Sequence, residues 1–170
     1  MNSSDYLKPF LEQLRQALGQ VQFDKQAYID FGTRSSVYLV GNGGSAAVAQ
    51  HVANDLVKRG KSSHALVDAA TLTCQANDEG WEFAFARQIE VHVKPQDMVI
   101  TISSSGKSMN IHQAVYAARE RGAQVMTLSG FDAMNPLRSM GDFNYYVPSF
   151  NYGIVEVTHL AILHSIVKPS

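Results

Sequence analysis

The sequence predicts an α/β fold: a five-stranded parallel sheet held between two helical layers, with additional helices at the N-terminus. Three observations carry this. Short apolar runs alternate with helix-like segments over most of the chain, a pattern in which the strands are buried on both faces and connected by right-handed crossovers. Two of those runs end in polar, glycine-bearing turns, Gly41-Asn42-Gly43-Gly44-Ser45 and Ser103-Ser104-Ser105-Gly106-Lys107-Ser108. Two helix-like segments also precede the first strand, outside the alternating core.

Taken in order, the first segment runs from Asp5 to Leu18 and carries Leu7, Phe10, Leu11, Leu14 and Leu18 at helical spacing. A second runs from Phe23 to Phe31. Their apolar faces need cover, either from the chain's own core or from another subunit. Strands are then expected at 36–40, 63–68, 97–102, 123–129 and 143–148, and helices at 45–59, 69–76, 81–92, 108–121 and 152–167. Gly122 after Arg121 has the place of a residue just beyond a helix end, and Asn77-Asp78 reads as a turn. The 170 residues form one expected domain, with helices in 1–34 and the α/β core in 35–170.

Composition excludes several classes of function. A net charge of −1 without a basic run gives no means of neutralising a nucleic-acid backbone. No stretch reaches the roughly 18–20 apolar residues that span a bilayer, and the start, MNSSDYLKPF, lacks the features of a signal peptide. A cytoplasmic protein is expected. The lone Cys74 sits in an apolar helical context that predicts a small buried side chain rather than a nucleophile.

Chemistry concentrates at the two turns. In a parallel α/β sheet, ligands bind beyond the carboxyl ends of the strands, where both turns fall. Bare backbone N–H groups at a glycine turn, with a helix N-terminus behind them, favour a bound anion. The serine turn adds the hydroxyls of Ser103, Ser104, Ser105 and Ser108, an array that suits a phosphate dianion without arginine. Helix capping is the plainer use of such serines.

Two further groupings stand on helical segments. His51 and Asp55 lie at i and i+4 and share a face, which suits a metal pair, a base with its orienting partner, or a surface hydrogen bond. Glu156, His159 and His164 interrupt an otherwise apolar C-terminal helix. Glu156 and His164 are separated by about 12 Å along the axis, so one ion joins them only if both side chains lean inward. His159 is rotated about 140° from His164, which gives it a separate role in the core or at a subunit contact.

Together these residues resemble the sugar isomerase (SIS) domain family, and within it the phosphoheptose isomerases. The likeness covers the chain from about Val37 onward: Gly-Asn-Gly-Gly-Ser at 41–45, His51 with an acid at 55, Arg59, Asn77-Asp78, Ser-x-Ser-Gly-x-Ser at 103–108, Val147-Pro148 and His164. The resemblance implies a flavodoxin-like three-layer sandwich and isomerisation of sedoheptulose 7-phosphate to D-glycero-D-manno-heptose 7-phosphate, a step toward lipopolysaccharide or capsule heptose. It implies that Asn42, Gly43, Gly44, Ser45, Asp55, Arg59, Asn77, Asp78 and Glu156 serve the sugar. Ser103, Ser104, Ser105 and Ser108 would hold its phosphate. His51, Asp55, Glu156 and His164 would surround a zinc ion, with Asp55 and His164 as the proton-transfer pair. It further implies a homotetramer with active sites near subunit contacts. This chain departs from the family in having Asp rather than Glu at 55, Glu rather than Gln at 156, and a loop one residue shorter between Phe150 and Val155.

Two other functions are compatible with the resemblance. One is a non-catalytic SIS module that binds a sugar phosphate or a protein partner; such relatives tend to lose the histidine found here as His164. The other is an isomerase of a different phosphosugar, since pocket shape rather than the reacting groups sets that choice.

Overall fold

A computed structural model, which describes residues 4–167, has the expected layered architecture. The elements are α1 (Ser4–Gln20), α2 (Lys25–Thr33), β1 (Ser36–Gly41), α3 (Gly44–Lys58), β2 (Ser62–Ala65), α4 (Ala69–Glu79), α5 (Ala86–His92), β3 (Met98–Ser103), α6 (Met109–Glu120), β4 (Gln124–Gly130), β5 (Phe143–Val147) and α7 (Tyr152–Ile166). Short 3-10 turns occupy Trp81–Phe83 and Pro136–Ser139. The five strands are parallel and lie in the order β2-β1-β3-β4-β5. Among the described residues, no helix is long and apolar enough to cross a membrane.

Strand alternation builds two cores. Val37 and Leu39 of β1 face one side with Met98, Ile100 and Ile102 of β3, under α3 and α7. Tyr38, Val40 and Val99 face the other, under α5 and α6. The period of two is the physical reason. The N-terminal helices join the first core through Ala17, Ala27 and Phe31, with Phe10 and Leu14 packed against it. Leu7, Leu11 and Leu18 stay exposed. The two possible covers for these helices are therefore divided along α1: one stripe packs on the chain's own core and another remains open.

The structure corrects three local expectations. The second strand ends at Ala65 rather than 68 because Asp68 leaves the sheet to cap α4, its carboxylate accepting from the Thr71 N–H at 2.9 Å. Asn77 and Asp78 form no turn; they belong to the last helical turn of α4, which runs to Glu79 and stops at Gly80. Cys74 is exposed, because α4 buries none of its residues. Its Sγ lies 3.5 Å from an Asp78 carboxylate oxygen, and that acceptor raises the thiol's pKa, so the residue stays a poor nucleophile.

The order β2-β1-β3 reverses direction between β1 and β3, which opens a crevice at the carboxyl ends of those two strands. Gly41 pairs with Ile102 across that junction. The glycine turn and the serine turn are thus neighbours because the strands that deliver them are neighbours.

Candidate active site

An open cavity of about 210 Å³ lies at this switch point, lined by the glycine turn (Asn42 to Ser45), the serine turn (Ser103, Ser104, Ser105, Ser108) and two residues of α7, Tyr152 and Glu156. Helices α3 and α6 start at its floor, and the first N–H groups of a helix have no partner within it. The Ser104 hydroxyl is buried without a hydrogen-bond partner. A buried, unpaired donor on a cavity wall is costly unless a ligand meets it, so this hydroxyl is the clearest local sign that the turn receives an anion.

The serine turn is held from behind. Gly106 has φ +63°, and a Cβ there would lie 1.9 Å from the Asn135 Oδ1, so only glycine fits. Its N–H donates to the Ser103 hydroxyl at 3.2 Å, and its carbonyl accepts from the buried His112 Nε2 at 2.8 Å. Asn135, also buried, donates to the Gly130 and Asp132 carbonyls at 3.1 and 2.8 Å. Ser108 is the N-cap residue of α6, yet its side chain makes no cap hydrogen bond, which leaves the hydroxyl for the cavity. The glycine turn is tied to α6 by a reciprocal amide pair: Asn42 Nδ2 donates to Asn110 Oδ1 at 3.0 Å, and Asn110 Nδ2 to Asn42 Oδ1 at 2.9 Å.

A second cluster forms where α3 crosses α7. His51 Nε2 and His164 Nδ1 approach the same Asp55 oxygen, at 3.4 and 3.7 Å, and the two imidazoles meet edge to face at 5.2 Å. One ligand atom from each residue lies within 4.8 Å of the others. Donors at about 2.1 Å from a tetrahedral ion stand about 3.4 Å apart, so the spacing fits a divalent metal, as does a set of two imidazoles and a carboxylate.

Glu156 is the expected ligand that the structure leaves outside this group. Its carboxylate lies against Gly44, where a Cβ would meet Oε1 at 2.3 Å, and it lines the cavity. Two helical turns of α7 separate it from His164, so here it faces the cavity rather than the cluster. Arg59 also lies away from the cavity, its guanidinium donating to the Val167 carbonyl at 3.0 Å. Asn77 and Asp78 are exposed on α4 and hydrogen-bonded to each other. His159 is fully buried, with Nε2 at 3.1 Å from the Ser129 carbonyl, and burial lowers its pKa to about 4. It is a neutral core group.

Comparison with known proteins gives the family. The SIS domain model matches residues 27–130. The chain belongs to the SIS domain family. Among SIS proteins its relatives are phosphoheptose isomerases. The enzyme so named from Pelobacter propionicus is 37% identical over 141 residues, covering 79% of this chain and 74% of that protein. Solved phosphoheptose isomerase structures superpose well: that from Neisseria gonorrhoeae has TM-score 0.83 and 25% identity, covering 96% of this chain and 93% of its own. That from Francisella tularensis has TM-score 0.82 and 27% identity, covering 98% and 96%. The chain falls in this subgroup of SIS proteins and is of the isomerase type.

Sequence reasoning missed Asn110, His112, Asn135 and Tyr152. Asn110 is a poor helix former in a first helical turn, and Asn135-Pro136 is a turn signal; each was a local oddity without an evident partner. His112 looked like any helical histidine. Tyr152 carried no signal beyond an aromatic side chain at a helix start.

Proposed function

We propose that this protein interconverts sedoheptulose 7-phosphate and D-glycero-D-manno-heptose 7-phosphate, an aldose–ketose isomerisation of a phosphosugar. One observation carries the reading: a serine-lined cavity with a buried, unpaired Ser104 hydroxyl is walled by the first turns of α3 and α7, the two helices that carry the His51–Asp55–His164 cluster further along. Its likeness to enzymes named phosphoheptose isomerase supports the choice of sugar.

In this reading the serine turn and the N-terminus of α6 bind the phosphate. Binding energy from that remote group positions the reacting carbons. Asn42 and Glu156 take sugar hydroxyls. Asp55 or His164 removes the proton from the carbon next to the carbonyl, leaving an enediol. The carrier exchanges its proton with solvent and delivers one to the former carbonyl carbon, while the hydroxyl proton passes to the other oxygen, so substrate and product are isomers with nothing gained or lost. His164 suits the task because an imidazole can both accept and donate a proton. We assign a zinc or other divalent ion to His51, Asp55 and His164; when bound it would polarise the sugar oxygens and stabilise their developing negative charge.

Self-association as a homotetramer belongs to the same proposal. Arg59, Asn77 and Asp78 do not line this chain's cavity, and α4 buries no residue. A second copy that covered α4 and the exposed stripe of α1 would bring those side chains to a neighbouring site.

The test is proton NMR of metal-replete protein with sedoheptulose 7-phosphate in deuterated water. The aldoheptose 7-phosphate should accumulate with deuterium at the carbon next to the carbonyl. Binding without turnover or exchange would overturn catalysis on this sugar in favour of a binding module. Sedimentation analysis of the same sample tests the subunit count.

A further inference from the structure

Phe131 is the only non-glycine residue with positive φ among the described residues, at +57°. A bulky side chain is rarely found there, and the strain persists only where the surroundings fix it. They do so here. The Phe131 N–H donates to the Ser149 carbonyl at 3.0 Å, and its own carbonyl accepts from the Tyr146 hydroxyl at 2.8 Å. Arg138 lies over the Tyr146 ring at 4.1 Å. The loops that leave β4 and β5 are thereby locked together, and the Phe131 ring is directed at two others. It meets Tyr152 edge to face at 4.7 Å and stacks on Phe150 at 5.8 Å.

Tyr152 is where this chain of rings reaches the cavity. It lies one helical turn before Glu156, on the same face of α7, so ring and carboxylate stand side by side on the wall. The remaining lining is polar or glycine apart from Ile102. It contains one carboxylate and no cation. The serine turn and the amides serve the phosphate and hydroxyls of a phosphosugar, but its C–H face needs an apolar platform, which an aromatic ring supplies.

We infer that Tyr152 contacts the sugar's carbon skeleton and that Phe131 is the positioning residue that holds the Tyr152 ring there. The inference rests on the phosphosugar reading and adds a specificity element to that site.

Calorimetric titration of metal-replete protein with sedoheptulose 7-phosphate and, separately, with inorganic phosphate tests it, together with steady-state kinetics. Tyr152→Ala should weaken the phosphosugar about 3- to 10-fold, raising KM with kcat held, while inorganic phosphate binding stays within about twofold. Tyr152→Phe should recover most of the loss. Phe131→Gly relieves the backbone and removes the ring; it should shift phosphosugar affinity in the same direction by a smaller factor, again sparing inorganic phosphate. A purely structural Phe131 would move the melting temperature and leave the ratio of the two affinities alone, which overturns its role. Unchanged phosphosugar affinity in Tyr152→Ala, or equal loss for both ligands, overturns the contact. So does a changed subunit count in that variant, because the rim would then be a contact between copies. A wild-type protein that binds inorganic phosphate but not the phosphosugar defeats the functional reading first, and this inference with it.

Discussion

The serine turn and the histidine–aspartate cluster are assigned to one proposed site but are built differently. Behind the serine turn stand buried groups, His112, Asn135 and Ser129, whose hydrogen bonds leave Gly106 a single conformation. The cluster consists of side chains on two helix surfaces, with His51 and His164 exposed and Asp55 half-buried. Lys58 also approaches Asp55, at 3.9 Å. An anion site of backbone and short hydroxyls can be set by the fold alone, whereas converging histidines and carboxylates gain their tightest order from the ion they share. The difference teaches where the chain stores its precision: in the turn proposed to hold the phosphate, with the proposed reactive groups on more adaptable side chains.

The largest effect should come from breaking the adaptable side. His164→Gln or Asp55→Asn should lower isomerase turnover at least about 100-fold, with inorganic phosphate affinity and melting temperature close to wild type. Removal of the metal with a chelator should reproduce the loss, and adding the ion back should reverse it. If phosphate affinity fell in parallel, the two regions would not be separable as described.

On the built side, the buried His159 makes stability depend on pH. Its pKa is about 4 in the folded chain, against an ordinary value near 6.5 in the unfolded one. The unfolded state therefore takes up the proton first. The contribution to stability is complete above pH 6.5, falls as pH drops toward 4, and changes no further below that. The full swing is about 3 kcal/mol. His159→Gln, which can still donate to the Ser129 carbonyl, should flatten this limb in denaturant titrations between pH 7 and 4. Gly106→Ala should come next, losing roughly 1–3 kcal/mol through its left-handed backbone and the clash with Asn135. Unlike His164→Gln, it should weaken inorganic phosphate binding as well.

Much of this arrangement was legible in the sequence, and the exceptions share a cause. Strand and helix periodicity, the two turns and the i, i+4 pair at His51 and Asp55 are local patterns. Periodicity cannot say which side chains meet across elements. Asn42 and Asn110 are 68 residues apart, and His112 and Asn135 converge on Gly106 from different elements, α6 and the loop after β4. Glu156 was expected at the metal because its eight-residue interval to His164 permits an inward lean, but the side chain instead follows the glycine turn. Cys74 was misplaced for a related reason: α4 is apolar enough to look buried, yet only Leu72 packs against the core and none of the helix's residues is fully covered.

The amide pair offers the finest test, because it joins the two turns themselves. Asn110 is buried and does not line the cavity. Each amide of the pair spends one N–H and one lone pair on the other, which leaves Asn42 one of each for a ligand and fixes their direction. Asn110→Ala frees Asn42 to rotate and removes two hydrogen bonds, costing about 1–2 kcal/mol of stability. Phosphosugar affinity should fall more than affinity for inorganic phosphate, because only the sugar reads the glycine turn. Asn110→Asp keeps the acceptor for Asn42 but loses the donor and brings negative charge close to the anion site, so it should depress both affinities. If Asn110→Ala instead spared the phosphosugar, Asn42 would be oriented by its own backbone, and the glycine turn would be as self-sufficient as the serine turn.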